Sequence, residues 1–113
     1  MLKFDLYIGD TGKLYTNENY LNFRWRNPDC NILFSATQQG KAIPSHFTSD
    51  KPGLRKMKQA LNEWCEFCFE LFKECEMVIG VIKPHSVCKL AEKCGFEYVT
   101  SSGNKKLYVR RKK

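Results

Sequence analysis

The chain has 113 residues, which is enough for one domain with a two-layer core and too few for two domains. Hydrophobic residues make up 42% of it and aromatic residues 13%, a composition that excludes an intrinsically disordered chain. No apolar run approaches the length that crosses a bilayer, and no signal-peptide pattern opens the sequence. We therefore expect a single domain over residues 1–113, without a membrane partner, inside a cell or packaged in a particle.

The net charge of +7 is concentrated at the C-terminal end. Six basic residues and no acidic residue occupy the last nine positions. Such a tail aids solubility and protects an edge strand, or else it contacts the backbone of a nucleic acid. We favour the first interpretation, and we expect Arg111–Lys113 to lie beyond the last strand, where folding does not need them.

The first half of the chain has the pattern of antiparallel strands. Hydrophobic residues occupy the even positions of Leu2–Ile8, which predicts a strand with one buried face. Lys13–Trp25 fits neither period cleanly, and there we expect a turn followed by a strand. Gln38–Lys41 is typical of a hairpin turn. The predicted strands are Leu2–Ile8, Tyr20–Arg26, Cys30–Thr37 and Ala42–Thr48.

Gly53–Cys75 is the organising element of the sequence. Its apolar residues recur at three- and four-residue steps, which predicts a helix of about six turns that lies across a sheet. These residues are Leu54, Met57, Leu61, Trp64, Cys65, Cys68, Leu71, Phe72 and Cys75. Lys51-Pro52-Gly53 forms the entry loop, and we expect the first backbone N–H groups of the helix to be uncovered.

Five of the six cysteines lie in predicted helices. The Cys65-x-x-Cys68 pair has a spacing that redox and zinc sites also use. It falls about three turns into the long helix, however, and aromatic residues surround it, so the two thiols are expected to pack as small hydrophobic groups. We therefore predict reduced cysteines that bind no metal.

The second half of the chain combines helices with strands. Met77–Lys83 is a short apolar run typical of a strand covered on both faces, so strand, long helix and strand together predict a parallel βαβ crossover. His85–Cys94 has helical spacing, and Gly95 is placed to end that helix. Phe96–Thr100 and Lys106–Arg110 alternate around a turn and predict a final hairpin. This order of elements indicates an α+β domain.

From Ala42 onward this order, together with the stretch Lys89–Glu97 (KLAEKCGFE), resembles the GNAT family of N-acetyltransferases. The resemblance implies a mixed, mostly antiparallel sheet with a central βαβ crossover, followed by a C-terminal helix and hairpin. The compact length, with Thr48-Ser49-Asp50 before a basic helix start, is also similar to acetyltransferase-like proteins that tailed phages encode, among them an internal virion protein. That narrower likeness implies a location in the host cytoplasm or in the virion.

The family resemblance also implies a cofactor, acetyl-CoA. It would lie between the splayed strands Ala42–Thr48 and Met77–Lys83, with its diphosphate on free N–H groups at the start of the long helix, among several cations. The cofactor-binding residues implied in this way are Phe47, Thr48, Lys51, Gly53, Leu54, Arg55 and Lys56.

Three departures from the family pattern concern catalysis. The phosphate loop keeps one glycine, Gly53, with Asp50 and Arg55 at its first and last motif positions. Ala91 stands where the family often has a tyrosine that protonates the leaving thiolate. The strand before the loop often supplies a glutamate base, whereas here it offers only His46, which is able to deprotonate an amine. The catalytic residues are therefore not assigned, and His46 is the candidate.

Two functions follow from these observations. The first is an acyl-CoA-dependent N-acyltransferase with an unidentified amine as acceptor, in which positioning and a backbone N–H that polarises the thioester carbonyl supply most of the rate. The second is a catalytically inactive, acetyltransferase-like protein that uses the same fold to bind a host protein, a virion component or nucleic acid.

Overall fold

Seven strands of the computed structural model, which describes residues 3–112, form one sheet. In chain order they are β1 (Phe4–Leu6), β2 (Leu21–Trp25), β3 (Ile32–Ala36), β4 (Ala42–Ser49), β5 (Met77–Ile82), β6 (Glu97–Ser102) and β7 (Lys105–Arg111). Their order across the sheet is β1-β2-β3-β4-β5-β7-β6. β4 and β5 run parallel, and all other neighbours are antiparallel. The predicted α+β class and the mixed, mostly antiparallel sheet are confirmed.

The helices connect strands of this sheet. They are α1 (Lys51–Leu54), α2 (Met57–Leu71) and α3 (His85–Lys93). Since α2 follows β4 and precedes β5, and these two strands are parallel neighbours, the predicted βαβ crossover is confirmed. In the part of the chain that the structure describes, no helix is long and apolar enough to cross a membrane.

α2 buries its apolar face against the sheet, as its helical spacing of hydrophobic residues requires. Trp64 is fully buried and stacks on Phe34 of β3, with ring centroids 4.6 Å apart and ring planes inclined by 16°. Cys65 and Cys68 are also fully buried, which confirms that this pair packs in the core. Burial raises the pKa of the Cys65 thiol to about 12, so the thiol stays protonated at neutral pH.

The long helix does not begin at Gly53 as predicted. Asp50 caps a separate single turn, α1, and its carboxylate accepts the N–H of Gly53 at 2.9 Å, so this N–H group is covered. A Cβ on Gly53 would clash with the hydroxyl of Ser49 and would lie 2.7 Å from Cγ1 of Ile32, so the absence of a side chain allows α1 to pack closely against β3. The chain then bends at Arg55–Lys56 before α2 begins. Leu54, predicted on the apolar side, is 63% exposed.

The C-terminal end of the long helix was also predicted wrongly. α2 stops at Leu71, because Phe72 has left the helical conformation with φ −111° and ψ 75°. The next residues turn the chain toward β5, and the N–H of Glu76 donates to the carbonyl of Lys41 at 2.7 Å beside the start of β4. Cys75 is buried in this turn, so its predicted burial is confirmed while its helical conformation is not.

The first strand is shorter than predicted. β1 spans Phe4–Leu6 and pairs with β2 over three residues at the edge of the sheet. Phe4 is buried against the aromatic core, whereas Leu6 is 62% exposed and Ile8 is 93% exposed. Tyr7 still donates its N–H to the carbonyl of Asn22 in β2 at 2.8 Å, and the chain then leaves the sheet, so Ile8 has no core to face. Leu2 lies outside the described residues.

The end of α3 follows the prediction. Gly95 has a φ of 87°, the left-handed conformation that glycine adopts without strain. The N–H groups of Gly95 and Phe96 donate to the carbonyls of Glu92 and Ala91 at 3.1 and 3.0 Å, which is the Schellman arrangement. β6 and β7 then form the predicted hairpin.

The folded sheet includes more of the basic C-terminal end than the sequence predicted. Arg111 pairs with Met77 in the β5–β7 ladder, and the N–H of Lys112 donates to the carbonyl of Glu76 at 2.7 Å. The prediction that the residues from Arg111 onward lie beyond the last strand is therefore wrong for Arg111, because β5 offers it a partner at its first residue. Lys112 lies beyond β7, as predicted, but it is bonded to the residue that precedes β5. Lys113 lies outside the described residues.

Candidate functional site

The centre of the sheet opens into a gap between β4 and β5. Their parallel ladder contains three residue pairs, which run from Ala42 opposite Met77 to Pro44 opposite Ile79. β4 then continues to Ser49 and β5 to Ile82 without further pairing between them. The strands diverge toward their C-terminal ends, and a cavity of about 630 Å³ lies at this gap. That volume is within the range of small-molecule sites.

The cavity borders both faces of the sheet. Nε1–H of Trp64 donates to the hydroxyl of Ser45 at 2.8 Å, so Ser45 points to the side of α2. The next residue, His46, points to the other side. There its ring centroid lies 4.5 Å from that of Tyr15. Because residues from both sides line the cavity, two molecules can meet there from opposite faces of the sheet.

Backbone groups of β4 face the gap. The N–H of Thr37 donates to the carbonyl of Pro44 at 3.1 Å, so even-numbered residues of β4 turn their backbone groups to β3 and odd-numbered residues turn theirs to β5. Phe47 has no β5 residue opposite it, since the ladder ends at Pro44. Its N–H and C=O groups therefore point into the gap, where a bound molecule is able to form hydrogen bonds with them.

His46, the candidate base, lies at the cavity. Its side chain is half-buried, and burial lowers its pKa. The imidazole is therefore neutral at physiological pH and able to accept a proton. The ring centroids of Tyr15 and Tyr20 lie 4.5 and 5.9 Å from that of His46, and both tyrosines line the cavity. The three rings contact one another, so they form one wall of the cavity and leave no space between them for a ligand.

The two tyrosines come from the loop between β1 and β2, which β3 holds in place. The buried hydroxyl of Ser35 donates to the carbonyl of Tyr15 at 2.7 Å, and the hydroxyl of Thr37 donates to the carbonyl of Asn19 at 2.8 Å. Sequence analysis missed Tyr15 and Tyr20 as site residues. The available signal was a cluster of aromatic residues in a stretch with neither a strand nor a helix period.

The loop that precedes α2 lies apart from the cavity. Of the predicted cofactor-binding residues, Phe47 lines the cavity, whereas those from Thr48 onward do not. Lys51, Leu54 and Arg55 are exposed, Thr48 and Lys56 are half-buried, and Gly53 is buried. α2 begins at Met57 with no side-chain cap. The uncovered N–H groups are therefore those of the first turn of α2, and the N–H of Gly53 is not among them.

Ala91 of α3 is buried and lines the cavity. It occupies the position at which the family resemblance implies a tyrosine, so α3 supplies no hydroxyl there. Among the described residues that line the cavity, the phenol groups are those of Tyr15 and Tyr20 on the opposite face. Burial and the neighbouring Tyr15 raise the pKa of Tyr20.

Known N-acetyltransferases share this fold. The N-acetyltransferase PseH of Campylobacter jejuni, solved in complex with acetyl coenzyme A, gives a TM-score of 0.71 at 17% identity over 86% of this chain and 71% of that chain. A mutant of the spermidine N-acetyltransferase SpeG of Vibrio cholerae gives 0.68 at 11% identity over 84% and 67%. An acetyltransferase of the GNAT family from Bacillus anthracis gives 0.57 at 14% identity over 82% and 66%.

These likenesses show a GNAT-type fold. No protein-family model and no curated protein sequence matches this chain. The implied fold, stated from the sequence as a central βαβ crossover followed by a helix and a hairpin, is therefore confirmed by the structure.

Proposed function

We propose that this protein is an acetyl-CoA-dependent N-acyltransferase that transfers the acetyl group directly to an amine. The gap between β4 and β5 carries the proposal, since it combines a cavity of ligand size with the amide of Phe47 directed into it. The fold neighbour PseH was solved with acetyl coenzyme A, which supports the same cofactor here. Organisation as a single domain, a phage origin, and a cytoplasmic or virion-associated location are parts of the proposal that rest on the sequence.

The cofactor is placed along β4 in this proposal. Its thioester carbonyl oxygen accepts the N–H of Phe47, and this fixed donor stabilises the negative charge that develops on the oxygen during attack. The diphosphate lies where Thr48 leads into the loop, at the uncovered first turn of α2. Lys51, Arg55 and Lys56 add positive charge there. Gly53 contributes by letting the loop pack against β3.

His46 is the general base of the proposed reaction. The amine approaches from the face that carries Tyr15 and Tyr20, gives a proton to the neutral imidazole, and its nitrogen forms a bond to the thioester carbon. The carbon–sulfur bond then breaks and coenzyme A leaves as a thiolate. Because Ala91 offers no acid, the thiolate takes the proton from the imidazolium of His46. The products are an amide and free coenzyme A.

A proline substitution tests the role of the Phe47 amide. Phe47→Pro removes the N–H that faces the gap and leaves the hydrogen bonds to β3 in place, because Phe47 does not bond to β3. Phe47→Ala is the matched control, since it removes the ring and keeps the N–H. With acetyl-CoA and a panel of primary amines, thiol release should be about 10²- to 10³-fold slower in Phe47→Pro than in Phe47→Ala. Equal rates would contradict the assigned role.

Calorimetric titration with coenzyme A tests the cofactor directly. We expect binding to the unmodified protein, weaker binding to Arg55→Glu, and unchanged binding to Lys89→Glu, an exposed charge reversal on α3 away from the cavity. Circular dichroism shows whether each variant is folded. If coenzyme A at millimolar concentration does not bind the unmodified protein, the acyltransferase proposal is wrong, and the alternative of an inactive binding protein takes its place.

A further inference from the structure

Three lysines on separate elements border the cavity. Lys13 lies in the loop before Tyr15, Lys83 follows β5, and Lys105 begins β7. All three side chains are exposed, and none of them forms an ion pair within residues 3–112. Over the same described range, no aspartate or glutamate lines the cavity. The cavity thus has a positive rim and no anionic group to balance it.

The positive rim is separate from the cations that the proposed diphosphate site uses. Lys51, Arg55 and Lys56 lie around the start of α2, and none of them lines the cavity. Acetyl-CoA, bound as proposed above, therefore leaves the rim lysines without a partner. The molecule that shares the cavity with the acetyl group is the amine acceptor.

We propose that the acceptor is a small amine that also carries a phosphate or carboxylate group, and that Lys13, Lys83 and Lys105 bind this anionic group. The inference rests on the proposed acyltransferase function. A polyamine would bring several positive charges to a site that already holds three and offers no carboxylate, so it would be repelled. The same positive surroundings lower the pKa of the acceptor's ammonium group, which favours the neutral amine that attacks the thioester.

The rings of Tyr15, Tyr20 and His46 complete the acceptor site. They form the wall opposite α2, and the apolar side chains of β5 continue it toward Lys83. An acceptor with an apolar or aromatic body between its amine and its anionic group therefore fits the surface best. Its amine reaches His46 while its anionic group lies among the rim lysines.

Matched aromatic amines test this specificity. O-phosphotyramine and tyramine differ only by a phosphate, and spermidine serves as the polycation. Each is titrated by calorimetry into the full chain at low salt, with and without saturating coenzyme A. We expect O-phosphotyramine to bind at least tenfold more tightly than tyramine and spermidine to bind most weakly. Lys13→Gln and Lys105→Gln should each reduce the preference for the phosphate about fivefold, whereas Lys13→Arg and the surface control Lys89→Gln should retain it.

The outcomes separate this inference from the proposed function. Tyramine or spermidine binding as tightly as O-phosphotyramine overturns the inference, and so does a preference that the two glutamine variants leave unchanged. No binding of O-phosphotyramine at 10 mM also overturns it. If coenzyme A binds in these cases, the acyltransferase proposal stands alone. If coenzyme A does not bind, that proposal fails, and the titrations without coenzyme A still decide whether the rim binds an anionic amine.

Discussion

Truncation of Trp64 should remove a large part of the stability of this protein. The side chain is fully buried, stacks on Phe34 and donates its N–H to Ser45. Replacing a buried Trp by Ala costs about 3–5 kcal/mol, against about 5–15 kcal/mol for the whole free energy of unfolding of a domain. Trp64→Phe keeps an aromatic ring and loses the hydrogen bond. We expect it to cost about 1–3 kcal/mol, because one net hydrogen bond contributes about 1 kcal/mol and the smaller ring leaves a void.

Urea unfolding followed by circular dichroism measures these differences. If the free energy of unfolding falls by about 2 kcal/mol per M urea, a loss of about 4 kcal/mol lowers the unfolding midpoint by about 2 M. Leu71→Ala on the same helix is the control. Because Leu71 is 43% exposed, this substitution should lower the free energy of unfolding far less than Trp64→Ala does. A cost below about 1 kcal/mol for Trp64→Ala would refute the assignment of Trp64 as the centre of the core.

Further predictions concern buried groups, the loop and the chain end. Since burial raises the pKa of Cys65 from 9.0 to about 12, the unfolded chain releases this proton first as the pH rises. The free energy of unfolding should therefore fall between about pH 9 and 12, and less steeply in Cys65→Ala. Gly53→Ala should lower the free energy of unfolding by about 1–3 kcal/mol, because its Cβ would clash with Ser49 and Ile32; an unchanged midpoint of urea unfolding would contradict this. Ending the chain at Arg110 removes the hydrogen bond of Lys112 and should lower the free energy of unfolding by about 1 kcal/mol, which a lower melting temperature would show. A thiol reagent should react with six thiols in the denatured chain. In the native chain it should react quickly with Cys30 alone, because Cys30 is half-buried and the other five cysteines are buried.

The two central strands, whose ends are marked by nearby residues in the sequence, were predicted to within one residue. β4 was expected at Ala42–Thr48 and spans Ala42–Ser49, and β5 was expected at Met77–Lys83 and spans Met77–Ile82. A hairpin turn and a proline mark their boundaries within a few residues. The separate turn α1 is instead fixed by contacts outside the helical repeat: Asp50 accepts the N–H of Gly53, and Gly53 packs closely against Ile32 of β3, 21 positions away in sequence. A periodic pattern does not contain that information.

Part of the candidate site was predictable from the sequence, and part of it was not. His46 and Phe47 follow from the position of β4 and from the family resemblance, since they lie on a strand that such a site uses. Tyr15 reaches the cavity through the hydrogen bond between its carbonyl and the hydroxyl of Ser35, which is 20 residues away. Lys13 is carried there by the same loop. Their role depends on tertiary contacts that no motif spacing encodes.

The short ladder between β4 and β5 also has a consequence for amide hydrogen exchange. Amides of a central strand are normally among the slowest to exchange. Here the amides of His46 and Thr48 face β3, opposite Ser35 and Leu33, and should be protected. The amide of Phe47 between them faces the gap and should exchange much faster. The middle of the sheet thus contains one residue whose exchange rate reports whether the gap is occupied, without an attached probe or a substitution.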